Sequence, residues 1–299
     1  MDVLGKRYPS VIRIVRRLRG GSQPILVEAD DGMLYVVKFG NNLQGPNVLF
    51  NEFMGSELYR TLGLSVPDWT TLFVADSFIA RNPECRFATE SDYLKPVSGP
   101  CFGSRFLNPP LREILPQGWY GRVRNRKDFW LAWMVDICAS HTDNRQVVFR
   151  HYKDSELNAY FLDHGHMFGG PKGESRQHFV ASRYLDPRIY PDISAQFLAR
   201  LGRISRRLDT DRLWRRTKML PEEWLTPSAL GQFAECLARL QDSRLLKSVL
   251  DTILDFQHQL DARTRDRERL LAHGTENVNV STALRRAGSY QKIAEGVVA

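Results

Sequence analysis

The chain has 299 residues, of which 42% are hydrophobic and 25% charged, and its formal net charge is +8. These proportions are those of a globular protein. No apolar run approaches the roughly 18 residues that cross a bilayer, and the first residues lack the apolar core of a secretory signal. The four cysteines lie far apart and lack the spacing of a zinc site or a disulfide framework, so we expect free thiols and a cytoplasmic protein.

The first candidate binding elements lie between residues 20 and 39. Residues 23–29 and 34–39 are β-rich runs on either side of an Asp-Asp-Gly turn, which predicts an antiparallel hairpin. Ahead of it, Gly21 and Ser22 belong to a glycine turn whose backbone N–H groups can approach a phosphate. Lys38 lies near the end of the second strand, where a lysine reaches either solvent or an anion. Lys38 is therefore a candidate phosphate ligand, with an ordinary edge-strand lysine as the alternative.

A helix is predicted to follow, from Asn51 to about Leu62, because apolar residues recur at helical spacing and Gly63 can end it. Glu52 then lies in the first turn of the helix. An early glutamate usually complements the helix dipole. In a kinase, a glutamate on this helix instead pairs with the strand lysine, which would be Lys38 here.

Residues 102–107 predict the last strand of a β-rich region and a hinge, before Asn108-Pro109-Pro110 breaks the chain. Phe106 and Leu107 are candidates for contact with an adenine ring. Their alternative role is packing in the core.

Residues 139–146 predict a polar loop between an apolar helix, which contains Trp130 and Trp133, and a short strand. Asp143 is a candidate to accept a proton from a substrate hydroxyl, Arg145 to neutralise charge on a phosphate, and Gln146 to bind a metal through its amide oxygen. A polar loop between a helix and a strand is also ordinary connecting structure.

Residues 160–170 predict a strand that delivers Asp163 into a turn closed by glycine at position 165. A carboxylate at a strand end suits a hard divalent cation, and kinases use an Asp-x-Gly turn to hold Mg²⁺ against the phosphates of ATP. Such turns are also common in loops without any metal.

Taken together, these motifs resemble the HipA-like kinases, in particular the branch of uncharacterised bacterial HipA-like domains. The resemblance covers about residues 15–175 and is carried by residues 36–42, 51–52, 62–67, 102–105, 143–146 and 162–165. Residues 163–169 also resemble the metal-binding turn of the phosphoinositide 3/4-kinases.

The resemblance implies an α+β, bilobal protein-kinase-like fold with a small β-rich N-lobe and a larger, mainly helical C-lobe. We expect the N-lobe over residues 1–107, the C-lobe over 108–275 and a tail over 276–299, with a substrate-facing segment between about 175 and 202. It further implies ATP and Mg²⁺ as cofactors and transfer of the γ-phosphate to a hydroxyl, that of a protein serine or threonine being favoured.

The implied site residues form three groups. For the nucleotide they are Lys38, Glu52, Gly21, Ser22, Phe106 and Leu107. For catalysis they are Asp143 and Arg145. For the metal they are Asp163 and Gln146.

One feature departs from the family pattern. The asparagine that usually ligates metal five residues after the catalytic aspartate is replaced here by Val148. Gln146 is the nearest amide that can substitute for it, and Asn144 is a second. The first alternative to an active kinase is therefore a nucleotide-binding pseudokinase that acts as a regulatory or interaction module.

The second alternative rests on charge alone. Basic residues concentrate in residues 13–19, 122–127 and 203–216, and such runs suit phosphate-rich partners. A nucleic-acid-associated protein is therefore an open alternative. The sequence does not favour it, because it shows no helix-turn-helix and no basic run interleaved with aromatic residues.

Overall fold

The computed structural model describes residues 8–116, 118–173, 182–206 and 208–273. The predicted tail and the first part of the predicted substrate-facing segment lie outside these residues. Within them the strands are β1 (Val11–Arg17), β2 (Ile25–Ala29), β3 (Leu34–Lys38), β4 (Trp69–Val74), β5 (Phe87–Ala88), β6 (Tyr93–Leu94), β7 (Gly99–Arg105), β8 (Leu111–Arg112), β9 (Gln146–His151) and β10 (Leu157–Leu162). The α-helices are α1 (Val48–Thr61), α2 (Asp76–Arg81), α3 (Asp128–Cys138), α4 (Ala195–Arg206), α5 (Thr210–Thr217), α6 (Pro227–Gln241) and α7 (Ser243–His273).

The N-terminal part is built on an antiparallel five-stranded sheet in the order β1-β2-β3-β7-β4. The predicted hairpin is confirmed, since β2 pairs with β3 and Ile25 lies opposite Val37. Branched and aromatic side chains such as Val27, Val37 and Leu72 fill the core on this sheet, as expected for residues that pack well on a pleated surface. The basic run at residues 13–19 falls largely on β1, an edge strand whose arginines face solvent.

Helix α1 begins at Val48, three residues before the predicted start. Residues 48–50 are apolar and buried, and Asn47, a residue type that favours the N-cap position, precedes the helix without making a side-chain capping bond. Every residue from Val48 to Tyr59 is buried. Most helices expose one face to water, and α1 does not.

Helix α5 contacts α1, and two of its arginines pair with a glutamate of α1. The Glu57 side chain is only 5% exposed, and its Oε2 lies 3.1 Å from Arg216 Nε while its Oε1 lies 3.8 Å from Arg212 Nη2. A buried carboxylate on α1 is thereby matched by two arginines of the helical region.

The C-terminal part is mainly helical. The apolar helix predicted before the polar loop is confirmed as α3, in which Trp130 and Trp133 are buried. This part also contains a three-stranded sheet in the order β10-β9-β8. The β9–β10 hairpin of this sheet connects the polar loop to the Asp-x-Gly turn. The chain divides into two compact units between Ile253 and Leu254, within α7. No helix of the described residues is both long and apolar enough to cross a membrane.

Candidate active site

Three charged side chains from distant parts of the sequence meet in one cluster. Lys38, at the end of β3, is 7% exposed, and its ammonium group is ion-paired with Glu52 of α1 and with Asp163 after β10. The distance from Lys38 Nζ to Asp163 Oδ1 is 2.7 Å. The pairing of Lys38 with Glu52 is therefore confirmed, and Lys38 and Asp163 lie close enough to reach one triphosphate.

The place of Glu52 within the helix differs from the prediction. Because α1 begins at Val48, Glu52 lies beyond the first turn of the helix, which contains no acidic residue. Its carboxylate accepts hydrogen bonds from the backbone N–H groups of His164 (3.1 Å) and Gly165 (2.9 Å) as well as from Lys38. Glu52 therefore joins the strand lysine to the Asp-x-Gly turn and does not serve the helix dipole.

The cluster sets the charge states of its members. Burial alone lowers the pKa of Lys38, but Asp163 and Glu52 together raise it above its ordinary value, so the ammonium stays charged. Burial likewise favours a neutral Asp163, yet the Lys38 charge outweighs it and holds the pKa of Asp163 below its usual range. Burial is the largest influence on the pKa of Glu52 and raises it. The Lys38 charge acts to lower this pKa, and the Asp163 charge acts to raise it.

Asn51 fixes the Asp-x-Gly turn from the other side. Its Nδ2 lies 3.0, 2.7 and 3.2 Å from the carbonyl oxygens of Gly165, Met167 and Gly170. Asp163 itself has a φ of 56°, a left-handed conformation that is uncommon outside glycine. The helix that carries Glu52 thus also holds the turn that presents Asp163.

Gly55 of α1 permits the close approach of the turn, and its replacement is expected to show this. A Cβ at position 55 would lie 2.5 Å from His164 Cβ and 2.8 Å from Met167 Sδ. Alanine is normally about 1 kcal/mol better than glycine inside a helix. We nevertheless expect Gly55→Ala to lower the free energy of unfolding by about 1–3 kcal/mol, because the buried turn cannot move away. Urea unfolding measures the difference.

The matched control is Gly231→Ala in α6, where nothing lies within 4 Å of the added Cβ. It should be neutral or stabilise the protein by up to about 1 kcal/mol. Equal effects of the two substitutions would show that α1 and the turn are not in close contact.

The polar loop lies against the same turn. The Thr142 N–H donates to the His166 carbonyl oxygen at 3.0 Å, and Thr142 Oγ1 lies 3.0 Å from His166 Nδ1. Burial is the largest influence on the pKa of His166 and lowers it, while the charges of Asp143 and Asp163 both act on the ring in the opposite sense. The half-buried Asp143 and Asp163 thus both lie near enough to the His166 ring for their charges to act on it. The role of Asp143 stays a prediction.

His141 is a buried residue of this loop that contacts the backbone of Asp143. It is 2% exposed, and burial together with Arg145 lowers its pKa to about 4, so its ring is neutral near pH 7. Its Nδ1 lies 3.2 Å from the backbone nitrogen of Asp143.

The predicted role of Arg145 on a phosphate is wrong. The guanidinium is buried, and its Nε donates to Asp136 Oδ2 of α3 at 2.9 Å in a two-point ion pair. Its Nη1 donates to the Leu162 carbonyl oxygen at 2.8 Å, and its carbon lies 4.9 Å from the centre of the Tyr59 ring. Since Asp136 and Tyr59 are fully buried, Arg145 is a structural link between the loop, α1, α3 and the end of β10.

Gln146 lies beside the strand that leads to Asp163. It is the first residue of β9, it is exposed, and it pairs with Leu162, the residue that precedes Asp163. Val148, at the position of the usual asparagine, is buried within β9 and is unable to bind a metal through its side chain. Metal binding by Gln146, or by the half-buried Asn144, stays a prediction.

The glycine turn between β1 and β2 lies near the Asp-x-Gly turn, and Gln44 lies between the two turns. A Cβ at Gly21 would lie 3.1 Å from Gln44 Nε2, and the same Nε2 lies 3.1 Å from His166 Nε2. Ser22 is 5% exposed, and its carbonyl oxygen lies 3.4 Å from Asn42 Nδ2. Gly21 is therefore placed near the Asp-x-Gly turn, and phosphate binding by Gly21 and Ser22 stays a prediction.

The hinge residues follow β7. The Phe106 N–H donates to the Leu34 carbonyl oxygen at 2.8 Å, and both Phe106 and Leu107 are half-buried. Their contact with an adenine ring stays a prediction.

Two comparisons with known proteins agree with this geometry. Residues 11–113 match the family model described as HipA-like kinase, which confirms the resemblance that the motifs predict. The matched range contains Lys38 and Glu52 and ends before Asp143 and Asp163, whose placement rests on the structure. No curated protein matches the chain.

Two solved structures of the Golgi casein kinase have a similar fold, each with a TM-score of 0.51 over 82% of this chain. One shares 13% sequence identity and is covered over 74% of its length, and the other, with Mn/ADP bound, shares 14% and is covered over 73%. At this identity the likeness concerns the fold, and it confirms a kinase-type fold with a β-rich N-terminal region and a helical C-terminal region. The resemblance to phosphoinositide 3/4-kinases stays a prediction.

Proposed function

We propose that this protein, whose residues 11–113 match the HipA-like kinases, is an ATP- and Mg²⁺-dependent phosphotransferase. It transfers the γ-phosphate of ATP to a hydroxyl group, that of a protein serine or threonine in the first place, and acts in the cytoplasm. The observation that carries the proposal is the position of Lys38, ion-paired at once with Glu52 and Asp163. In the proposal the N-lobe ends at residue 107 and the C-lobe continues to about residue 275.

Catalysis of phosphoryl transfer consists mainly of positioning and charge neutralisation. Lys38 binds the phosphates of ATP through its charged ammonium, and Glu52 holds that ammonium in place. Gly21 and Ser22 approach the phosphates with backbone N–H groups, while Phe106 and Leu107 contact the adenine ring. Asp143 accepts the hydrogen bond of the acceptor hydroxyl and takes up its proton as the hydroxyl oxygen attacks the γ-phosphorus. The bond between the γ-phosphorus and the β–γ bridging oxygen breaks in the same step, and ADP leaves.

The residues around Asp163 fit a hard divalent cation. The Asp163 carboxylate is ionised, because its pKa lies below the usual range, and it is presented on a tight turn. Gln146 adds an amide oxygen, with Asn144 as the alternative, and oxygen donors of this kind are what Mg²⁺ prefers. When bound, Mg²⁺ supplies positive charge against the phosphate oxygens. The solved structure of the Golgi casein kinase with Mn/ADP supports the use of a nucleotide with a divalent metal.

A nucleotide-binding pseudokinase is the alternative that one observation favours. The position of the usual metal-binding asparagine is Val148, whose side chain is buried in β9 and has no oxygen to offer. Lys38, Glu52 and Asp163 are nevertheless together, so nucleotide binding is expected under both proposals. Phosphate transfer distinguishes them.

We therefore expect Mg-ATP at millimolar concentration to raise the melting temperature of the wild-type protein, because a ligand that binds only the native state stabilises it. With γ-labelled ATP and Mg²⁺, the wild type should hydrolyse ATP or transfer label to itself. Asp143→Asn should lower this rate by about 10²-fold, the size expected for loss of a general base, and keep the thermal shift.

Each result has a defined meaning. If the wild type shows no thermal shift, both the kinase and the pseudokinase proposals fail. If it shows a shift but no turnover, the pseudokinase is correct. Equal turnover of wild type and Asp143→Asn would remove Asp143 from the mechanism without affecting the roles of Lys38 and Asp163.

A further inference from the structure

A set of cationic side chains stands against aromatic rings on the surface of the C-terminal part. The guanidinium carbons of Arg112 and Arg122 lie 4.8 and 4.7 Å from the centre of the Trp119 ring. That of Arg124 lies 4.0 Å from the centre of the Tyr152 ring, and Lys153 Nζ lies 5.8 Å from the same centre. We call these residues the arginine–aromatic cluster: Arg112, Trp119, Arg122, Arg124, Tyr152 and Lys153.

The fold assembles this cluster from separate segments. Arg112 ends β8, Arg122 ends the 3₁₀ turn Tyr120–Arg122, and Tyr152 directly follows β9. The Trp119 and His151 rings meet edge-on with centroids 6.3 Å apart, which connects the two halves of the cluster. The Arg124 N–H donates to the Leu157 carbonyl oxygen at 3.0 Å, and this bond ties the cluster to the β9–β10 hairpin.

The three arginines of the cluster are exposed and carry unneutralised charge. Some other exposed arginines have an acidic partner, as Arg188 does in Asp186. Among the described residues, no carboxylate lies within ion-pairing distance of Arg112, Arg122 or Arg124. A guanidinium that is held by a ring and has no internal anion presents its N–H groups to an external one.

We propose that the arginine–aromatic cluster binds single-stranded nucleic acid. Guanidinium groups contact the phosphates, while bases stack on rings and guanidinium planes, which every base can do. Tyr152 is 51% exposed and offers such a ring. An acidic protein segment would use the cations but would not need the exposed face of the Tyr152 ring. The overall charge of +8 also favours a polyanion.

The cluster is separate from the candidate active site. Strand β9 runs from Gln146, which pairs with the residue before the Asp-x-Gly turn, to His151, which lies beside the arginine–aromatic cluster. The five steps from Gln146 to His151 span about 17 Å at about 3.3 Å each. Binding at the cluster therefore does not require phosphate transfer, and either proposal can fail without the other.

The test is fluorescence anisotropy with a fluorescein-labelled 20-nucleotide oligo-U, over a range of salt concentrations. Tyr152→Ala should weaken binding about tenfold, the loss expected for one stacking ring. The triple variant Arg112→Ala/Arg122→Ala/Arg124→Ala should bind more weakly still, and the slope of log K against log salt should fall by about 2. Melting temperatures of the variants should stay near that of the wild type, because these side chains are exposed.

The matched control is Arg16→Ala/Arg86→Ala/Arg215→Ala, which removes the same charge from exposed arginines outside the cluster. It should keep most of the affinity. The proposal is overturned if the wild type does not bind oligo-U at low salt, or if the control loses as much affinity as the cluster variant. It is also overturned if polyglutamate competes as well as unlabelled oligo-U, since the partner would then be an acidic protein segment.

Discussion

Asp163→Asn is expected to lower Mg²⁺-dependent phosphate transfer by about 10³-fold or more, the range reported for charge-stabilising groups at a transferring phosphoryl. Asparagine has nearly the same shape as aspartate, so the turn should keep its conformation. Of the two carboxylates that contact Lys38 Nζ in the described residues, the substitution removes that of Asp163 and keeps that of Glu52. It also removes the proposed metal ligand. The measurement is transfer from γ-labelled ATP at several Mg²⁺ concentrations.

Stability at low pH serves as the control for this variant. The pKa of Asp163 is lowered in the folded protein by Lys38, so its charge contributes stability above the ordinary carboxylate pKa of about 4. This contribution is lost as the pH falls through that value towards the folded pKa. Asp163→Asn should therefore be less stable than the wild type at pH 7, and the difference should shrink in acid. Full activity of the variant at any Mg²⁺ concentration would refute the metal role of Asp163.

Asp136→Ala is expected to lower the free energy of unfolding by about 3–5 kcal/mol, the loss found when one partner of a buried ion pair is removed. The Asp136 carboxylate is fully buried, accepts from Arg145 at two points, and accepts from the Tyr59 hydroxyl at 2.7 Å. Without it, the Arg145 charge stays in the core without a matching anion. Urea unfolding at pH 7 measures the loss, and a soluble variant with intact far-UV circular dichroism is required for the comparison.

Glu28→Ala provides the matched control, since it also removes a carboxylate from an arginine. The Arg13–Glu28 pair is exposed, with side chains 63% and 29% accessible, and such pairs contribute about 0–1 kcal/mol. A similar loss in both variants would mean that the Arg145–Asp136 pair is not buried as described. A loss near zero for Asp136→Ala would mean that Arg145 has another anion available and would reopen its role on a phosphate.

The parts of the site that local patterns encode were predictable. The β2–β3 hairpin follows from two alternating runs around an Asp-Asp-Gly turn, and α3 follows from an apolar helical pattern. The meeting of Lys38, Glu52 and Asp163 was predictable only through the family resemblance, because nothing local connects a strand end with a turn far along the chain.

The role of Arg145 was not predictable from its loop, because its partner lies in a different element. Asp136 is the only charged residue between Phe129 and Cys138 in a helix that is otherwise apolar. A lone buried carboxylate requires a cation nearby, and that rule could have directed attention from Asp136 to Arg145. Asn51 was likewise named only as a helix start and as part of the family motif, although its amide nitrogen lies within hydrogen-bond distance of three carbonyl oxygens of the turn.

The burial of α1 limits how this protein can be switched on and off. A kinase that is controlled by swinging its lysine-pairing helix needs an outward conformation of similar free energy. Here every residue from Val48 to Tyr59 would have to leave the core, and Glu57 would lose its ion pairs with two arginines of α5. Each 1.4 kcal/mol lost in such a movement reduces the outward population about tenfold. We therefore expect Lys38 and Glu52 to keep a single arrangement, so that any control of the protein would act elsewhere than on the position of this helix.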